Sequence, residues 1–435
     1  MIELLKLAVP ISLANIVGII AILLNTKIVG DISSYNLYLL TLFMPFNFWV
    51  VSLFESFRVP ATSVATYAYS RGEFNLIGSQ IGCLLFISLI GILIPFSVAI
   101  ISPNAVSSLL SIHNAHDLNQ FSLFTAYMLP ASYLLSAFFI VSSTLNGIGK
   151  QHFAMVITMM GVLFGTLLNL YLTKNTRLEI LSMPVSSIVT YLVLLTYTFI
   201  ILFRSKILTI NSFKQSLSLN NLKIIKRLAL PVWVAYIFIT LGIVFFNYIL
   251  SPYGHDVVSG FGIAYRIQSV LLLPAISLGI AVGILINKNR DSKNNKLILR
   301  KGMLICVVIY TIISFGMYYK KDYCIGLITT DPNLIQSAIQ YFKIVSLTYI
   351  GLSISLCYCL VLEQTGYGIQ STCFSATIFL IEIFIALILI RYWHKPDALY
   401  WAIAIGNIIC GLATLCFFKF NTSCQFIPRF IKHNK

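Results

Sequence analysis

The 435-residue chain is 58% hydrophobic and only 10% charged, with a formal net charge of +16 and a mean hydropathy of +0.91. Soluble globular chains are about half apolar and about a quarter charged, so this composition excludes water as the main solvent and points to a bilayer. The basic excess does not mark a nucleic-acid surface, because no basic run is interleaved with exposed aromatics in a soluble segment.

Apolar runs long enough to cross ~30 Å of hydrocarbon as helix recur along the whole chain. They lie at roughly 7–29, 37–59, 77–101, 121–145, 152–173, 180–203, 228–250, 258–286, 297–319, 338–362, 368–390 and 398–418, twelve in all. Period-2 alternation is absent, so the expected fold is an all-α integral membrane protein rather than a barrel. The first run begins near Met1 without a cleavable signal pattern and reads as a retained helix. Prolines fall within predicted helices at Pro10, Pro45, Pro60, Pro95, Pro130, Pro231 and Pro274, where they break backbone bonds that protein neighbours or water must replace.

Loop charges set the expected topology. With an inward N-terminus, the inner loops hold nineteen Lys and Arg residues, from Lys6 to Lys435, and the outer loops hold six: Lys174, Arg177, Lys320, Lys321, Arg391 and Lys395. That bias predicts a multi-pass protein of the cell (inner) membrane with both termini cytoplasmic. Most cysteines (Cys83, Cys306, Cys357, Cys359, Cys373, Cys410 and Cys416) lie inside spans without metal-ligand spacing, and they read as small core residues.

The chain repeats itself. LKLAVP at 5–10 echoes KRLALP at 226–231, and each precedes a long helix carrying an asparagine, Asn25 and Asn247. Residues 109–127 are echoed by 326–344, and LNGIGK at 145–150 by LEQTGY at 362–367, with a nearly constant offset between the copies. The repeat unit is therefore a six-helix bundle. The predicted organisation is an N-terminal bundle at 1–203, a basic cytoplasmic linker at 204–227, a C-terminal bundle at 228–419 and a cytoplasmic tail at 420–435. Six spans return the chain to its starting side, so the repeats are parallel, and a cavity is expected between the bundles.

LAVP with NTKIVG at 25–30, GIGK followed by LLNLYL at 167–172, RLALP with GIAYRI at 262–267, and the stretch ITTDPNLIQSAIQYFKI stand in an order that resembles the multidrug and toxic compound extrusion (MATE) family. That family belongs to a superfamily that also holds lipid-linked polysaccharide flippases. The resemblance covers nearly the whole chain and implies two bundles forming a V, a substrate site in the cleft, and export driven by a proton or sodium gradient. One branch carries an aspartate where this chain has Asn25, and an Asn and Asp four apart where it has Asn169 and Thr173. Another places acids on the seventh and tenth helices, whose spans here hold no carboxylate. An amide or hydroxyl cannot take up a proton near neutral pH, so coupling here is expected to be atypical.

The expected cavity residues are Asn25, Lys27, Asn169, Thr173, Ser187, Thr190, Asn247 and Arg266. Polar groups of this kind serve either as substrate or ion contacts or as hydrogen-bond glue between helices. Ionisable groups at membrane depth are costly and are candidates for function. Glu55 and Arg58 stand three apart, so they can pair or act as a gradient-sensing switch. Glu382 lies deep in the eleventh helix, to be neutralised by Lys343 or Arg266 or to serve in proton coupling; the coupling candidates are thus Glu55, Arg58 and Glu382. Lys27, Arg58 and Arg266, without the usual acids, favour a neutral or anionic small molecule.

The histidines (His113, His116, His152, His255, His394 and His433) fall in loops, tails or helix ends, so buried acid–base chemistry has no candidate and no enzyme is expected. His113 and His116 with only Asp117 make a poor metal site, and GIGK lacks the rest of a phosphate loop. No metal or cofactor is expected beyond a coupling H+ or Na+. The leading expectation is an ion-driven exporter working as a monomer by alternating access; the alternative is a flippase for a lipid-linked oligosaccharide.

Overall fold

The computed structural model describes residues 2–30, 36, 39–40, 42–102, 115–213, 215–289, 292–326 and 332–420. The expected tail at 420–435, apart from Phe420, and the loop around His113 lie outside the described residues.

Among those residues the structure is helical throughout, without strands. The helices are α1 (Ile2–Gly30), α2 (Met44–Arg71), α3 (Phe74–Ile101), α4 (Ala115–Gly147), α5 (Gln151–Asn175), α6 (Ser182–Arg204), the four-residue α7 (Ile210–Phe213), α8 (Leu219–Leu250), α9 (His255–Leu271), α10 (Leu273–Lys288), α11 (Ser292–Gly326), α12 (Pro332–Val345), α13 (Tyr349–Gln364), α14 (Gly368–Trp393) and α15 (Asp397–Phe420). Taking α9 with α10 and α12 with α13 as interrupted spans gives twelve long segments. Eleven of them are long and apolar enough to cross a membrane. The exception is α2, the helix that carries Glu55 and Arg58.

Pro45 occupies the first turn of α2, where its missing N–H costs nothing; the described residues just before it, 36, 39–40 and 42, are helical as well, and the Phe43 N–H bonds to the Leu39 carbonyl at 3.1 Å. The far end of α2 continues to Arg71 through residues such as Thr62, Ser63 and Thr66, which are polar yet buried against neighbours. Pro274 likewise opens α10. Pro10, Pro60, Pro95, Pro130 and Pro231 stand inside continuous helices.

The repeat is written in the backbone. After α4, Gly149 adopts φ +84°, with the Lys150 N–H bonded to the Leu145 carbonyl at 2.9 Å. After α13, Gly366 adopts φ +88°, with the Tyr367 N–H bonded to the Leu362 carbonyl at 2.8 Å. Both are left-handed glycine stops closed by a six-to-one bond, a turn that a side chain would strain. They explain why LNGIGK and LEQTGY share a glycine in register.

The chain packs as two units, residues 13–233 and residues 1–12 with 234–435. In the first, Phe43, Phe54, Phe96, Phe121 and Phe124 form an aromatic-rich core. Ile225 and Ala229 from the first turns of α8 join it, as does the partly buried Trp233. In the second unit, the buried residues Leu4, Leu7, Ala8 and Ile11 of α1 join a core with Phe246, Phe261, Tyr310, Tyr341 and Tyr400. The predicted linker at 204–227 is thus largely built into the first unit. Asn221 Nδ2 donates to Ser79 Oγ at 3.2 Å and to the Ser216 carbonyl at 3.1 Å.

Two breaks distinguish the second unit. At Leu272 the helix is interrupted, and Tyr310 satisfies the freed groups: its hydroxyl donates to the Leu271 carbonyl at 2.7 Å and accepts from the Ala275 N–H at 3.1 Å. Between α12 and α13 the backbone tightens into one 3-10 turn, Ser346–Thr348.

Candidate functional site

Within the first unit, α1 and α5 bring Asn25 and Asn169 together. Asn169 is fully buried, and its Nδ2 donates to Asn25 Oδ1 at 2.8 Å. Asn169 Oδ1 has no hydrogen-bond partner. One turn later, Thr173 shares a hydrogen bond of 2.8 Å with Ser182, whose own hydroxyl reaches the Glu179 carbonyl at 2.7 Å. Ser182 is not among the expected cavity residues; its signal is its place at the start of α6, beside the end of α5. Ser187 bonds back to the Met183 carbonyl at 2.9 Å. Thr190 is buried with an unpartnered hydroxyl, and it packs on Gly165 of α5, where a Cβ would stand 3.1 Å from Thr190 Oγ1. The amides and hydroxyls on α1, α5 and α6 therefore form a polar seam inside the bundle, one that offers dipoles and no carboxylate.

On α2, Arg58 Nη2 and Glu55 Oε2 form an ion pair at 2.9 Å, with side chains 11% and 19% exposed. Two indoles anchor this helix: Trp49 Nε1 of α2 donates to the Gly91 carbonyl at 2.8 Å, and Trp233 Nε1 of α8 donates to Ser52 Oγ of α2 at 3.1 Å. The two indoles meet edge to face at 5.4 Å.

In the second unit, Asn247 is partly exposed, and Arg266 and Lys343 are exposed. Glu382 on α14 packs against α15 at Gly406, where a Cβ would stand 2.6 Å from Glu382 Cδ. Tyr265, Tyr341 and Cys410 lie within electrostatic range of it. Neither Lys343 nor Arg266 pairs with Glu382. That corrects the expected neutralisation: both cations sit on outward faces of their helices, whereas Glu382 turns toward a glycine of its neighbour. Tyr341 hydroxyl donates to Gln268 Oε1 in the buried core beside it. Lys27 is exposed. The expected residues therefore separate into an amide and hydroxyl seam in one unit, an ion pair on α2, and a lone carboxyl in the other unit. No cluster of three metal-ligating side chains occurs among the described residues.

Residues 231–388 match the family model described as MatE. Over that stretch, about a third of its length, the chain is similar to the MATE family. It is 20% identical over 431 residues to the multidrug export protein MepA of Staphylococcus aureus strain MSSA476, covering 94% of this chain and 91% of that protein. A probable multidrug resistance protein of Bacillus subtilis strain 168, YpnP, is 22% identical over 209 residues, 47% of this chain and 44% of that one. The fold matches the Vibrio cholerae MATE transporter VcmN in its bent form with a TM-score of 0.89 at 14% identity, over 98% of both chains. It also matches a transporter of Pyrococcus furiosus, whose binding pocket is described as reversed in polarity, with a TM-score of 0.83 at 16% identity over 97% and 95% of the two chains. The chain's 11 candidate spans among the described residues mark a multi-pass membrane protein, and the proteins it resembles are named as multidrug export proteins and MATE transporters.

Proposed function

We propose that this chain exports a small neutral or anionic molecule across the cell (inner) membrane by alternating access, driven by a proton or sodium gradient through atypical coupling residues. The observation that carries the reading is the buried Asn169–Asn25 amide pair in a MATE-like chain. An amide pair supplies hydrogen bonds without a charge, so the first unit cannot attract a lipophilic cation by Coulomb force or titrate as a carboxylate would. Exposed Lys27 and Arg266 add positive charge, whereas the charge of Arg58 is offset by Glu55. The charge bias of the loops supports cytoplasmic termini. The reading takes a single chain as the working unit.

Counterflow in proteoliposomes under imposed proton and sodium gradients tests this, with ethidium as cationic probe and sulforhodamine as anionic probe. The expected result is gradient-dependent accumulation of sulforhodamine in preference to ethidium. Efficient movement of ethidium alone removes the cargo assignment, and movement of a lipid-linked oligosaccharide with neither dye reverses the reading to a flippase. Epitope tags at both ends, accessible only after permeabilisation of cells, test the topology.

A further inference from the structure

The two units place their polar chemistry in one register of the repeat. The offset that carries LNGIGK onto LEQTGY also carries Gly165 of α5 onto Glu382 of α14, and it carries Thr190 of α6 to within one position of Gly406 on α15. Gly165 faces Thr190, and Gly406 faces Glu382. In each unit one of these two helices supplies a glycine and the other a polar side chain, but the roles are exchanged, and the polar group of the pair is a hydroxyl in the first unit and a carboxyl in the second. The same offset carries Asn169 onto the fully buried Ala386, so the second unit lacks the amide and has an acid one turn away.

Glu382 stands near the middle of the 26-residue α14, about 21 Å from its Gly368 end and about 17 Å from its Trp393 end at ~1.5 Å per residue, and so close to the middle of the hydrocarbon. Among the described residues it makes no ion pair and no hydrogen bond. The titratable groups within electrostatic range of it are Tyr265 of α9, Tyr341 of α12 and Cys410 of α15. Toward α8, Phe379 of α14 packs against Gly242 and Phe246. No lysine or arginine among the described residues stands against it. A carboxylate in such a place needs a cation, and a hard metal ion needs about six oxygen ligands. Two phenol oxygens, one already committed to Gln268, and a thiol do not make that shell. A proton needs none. The same face of α14 carries Ser375 and Ser371, and Ser371 Oγ donates to the buried Glu363 at 3.0 Å. Polar groups thus continue from Glu382 toward the Gly368 end of the helix.

We propose that Glu382, seated on Gly406 near the middle of α14, is the proton-carrying group of the second unit. Resting on the exporter reading, the step is simple: the carboxylate takes one proton from one side and becomes a carboxylic acid, then releases that proton to the other side as the empty or loaded carrier turns over. No electrons move. Gly406 is the positioning residue, because any side chain there occupies the volume of the Glu382 carboxyl.

The test begins without cargo. Purified protein in liposomes is treated at a series of pH values with dicyclohexylcarbodiimide, which modifies protonated carboxylic acids in apolar surroundings, and the modified peptide is located by mass spectrometry. Modification of Glu382 that declines as pH rises is expected; its absence at every pH, or a level indifferent to pH, overturns the proposal. A gradient of one pH unit sustains about tenfold accumulation per proton exchanged. For the better transported of ethidium and sulforhodamine, Glu382→Gln is therefore expected to reduce about tenfold accumulation to about unity. Glu382→Asp should keep part of it, and Gly406→Ala should weaken it while leaving the carboxyl in the chain. Unchanged accumulation in Glu382→Gln, or accumulation that follows sodium and ignores pH, also overturns the proposal. Modification of the wild-type protein needs no variant to fold and no cargo to be known. A protein that transports neither dye yet shows pH-dependent modification therefore refutes the exporter reading and supports this one.

Discussion

The fifth and sixth helices of the first unit and their counterparts in the second solve one packing problem with opposite chemistry. Where α5 approaches α6, Gly165 yields room to Thr190; where α14 approaches α15, Gly406 yields room to Glu382. Close helix approach in a membrane requires a small residue on one side, and either helix can supply it. Duplication thus conserved the need for a glycine while leaving free which helix carries the polar group and whether that group is a hydroxyl or an acid. The consequence is a chemical asymmetry at this helix pair: a hydroxyl in one unit and a carboxyl in the other.

The largest expected effect tests whether backbone contact is as strict in the second unit as the glycines imply. Gly411 on α15 stands against Gly351 on α13, with a Cβ on Gly411 falling 2.6 Å from Gly351 Cα. Because the obstacle is backbone, Gly411→Leu should cost about 3 kcal/mol or more, at the upper end for overpacking. Thermal unfolding of the purified protein in detergent measures it. By the spacing that pairs Thr190 with Gly406, the buried Leu195 holds the matching place in the first unit; Leu195→Ala, which opens a cavity, should cost about 2–5 kcal/mol. A Gly411→Leu protein as stable as the parent would mean that the two helices part easily.

Next comes the ion pair on α2. Glu55→Ala leaves the Arg58 guanidinium in a mostly buried place without its carboxylate, and losing one partner of such a pair costs about 3 kcal/mol. Glu55→Ala with Arg58→Ala should recover much of that loss. If the single variant is as stable as the parent and the double variant less so, the pair is not the structural element that its geometry indicates.

Much of this is legible from the residues alone. Twelve long segments follow from the spacing of apolar runs, and the repeat follows from LNGIGK and LEQTGY, whose shared glycine closes the same left-handed turn twice. The interruptions are not legible. Pro60 and Pro274 lie in the same part of the repeat, yet Pro60 sits inside continuous α2 and Pro274 opens α10 after a break. The difference depends on Tyr310, a distant residue whose hydroxyl satisfies both freed backbone groups; no local pattern announces it. Likewise, residue type and position suggest Asn25 with Asn169, but not that Ser182 partners Thr173. Sequence distance also does not tell which way a helix face turns, and so the cations Arg266 and Lys343 look like partners for Glu382 while the structure turns them outward.

A smaller effect separates the seam from the carboxyl. Asn169→Ala removes the donor to Asn25 and leaves a partly buried amide oxygen without its bond, a loss of about 1–3 kcal/mol in stability. Because the amide does not titrate, the ratio of accumulation with and without a pH gradient should stay as in the parent. Glu382→Gln should do the reverse, removing the gradient response while changing the unfolding temperature little. If Asn169→Ala abolished the gradient response, the division of labour between the units would fail.

The smallest effect concerns the start of α8, which packs with the first unit. Trp233→Phe keeps an aromatic ring against Trp49 but removes the indole N–H that reaches Ser52 Oγ at 3.1 Å. One neutral hydrogen bond contributes about 1 kcal/mol net, and the retained edge-to-face contact keeps its own share. The expected loss is therefore about 1 kcal/mol, and Trp233→Ala, which loses the ring as well, should cost clearly more. Equal losses in the two variants would assign the whole contribution of Trp233 to its hydrogen bond and none to its ring. The first turns of α8 would then be held in the first unit by polar contacts such as those of Asn221 rather than by the aromatic core.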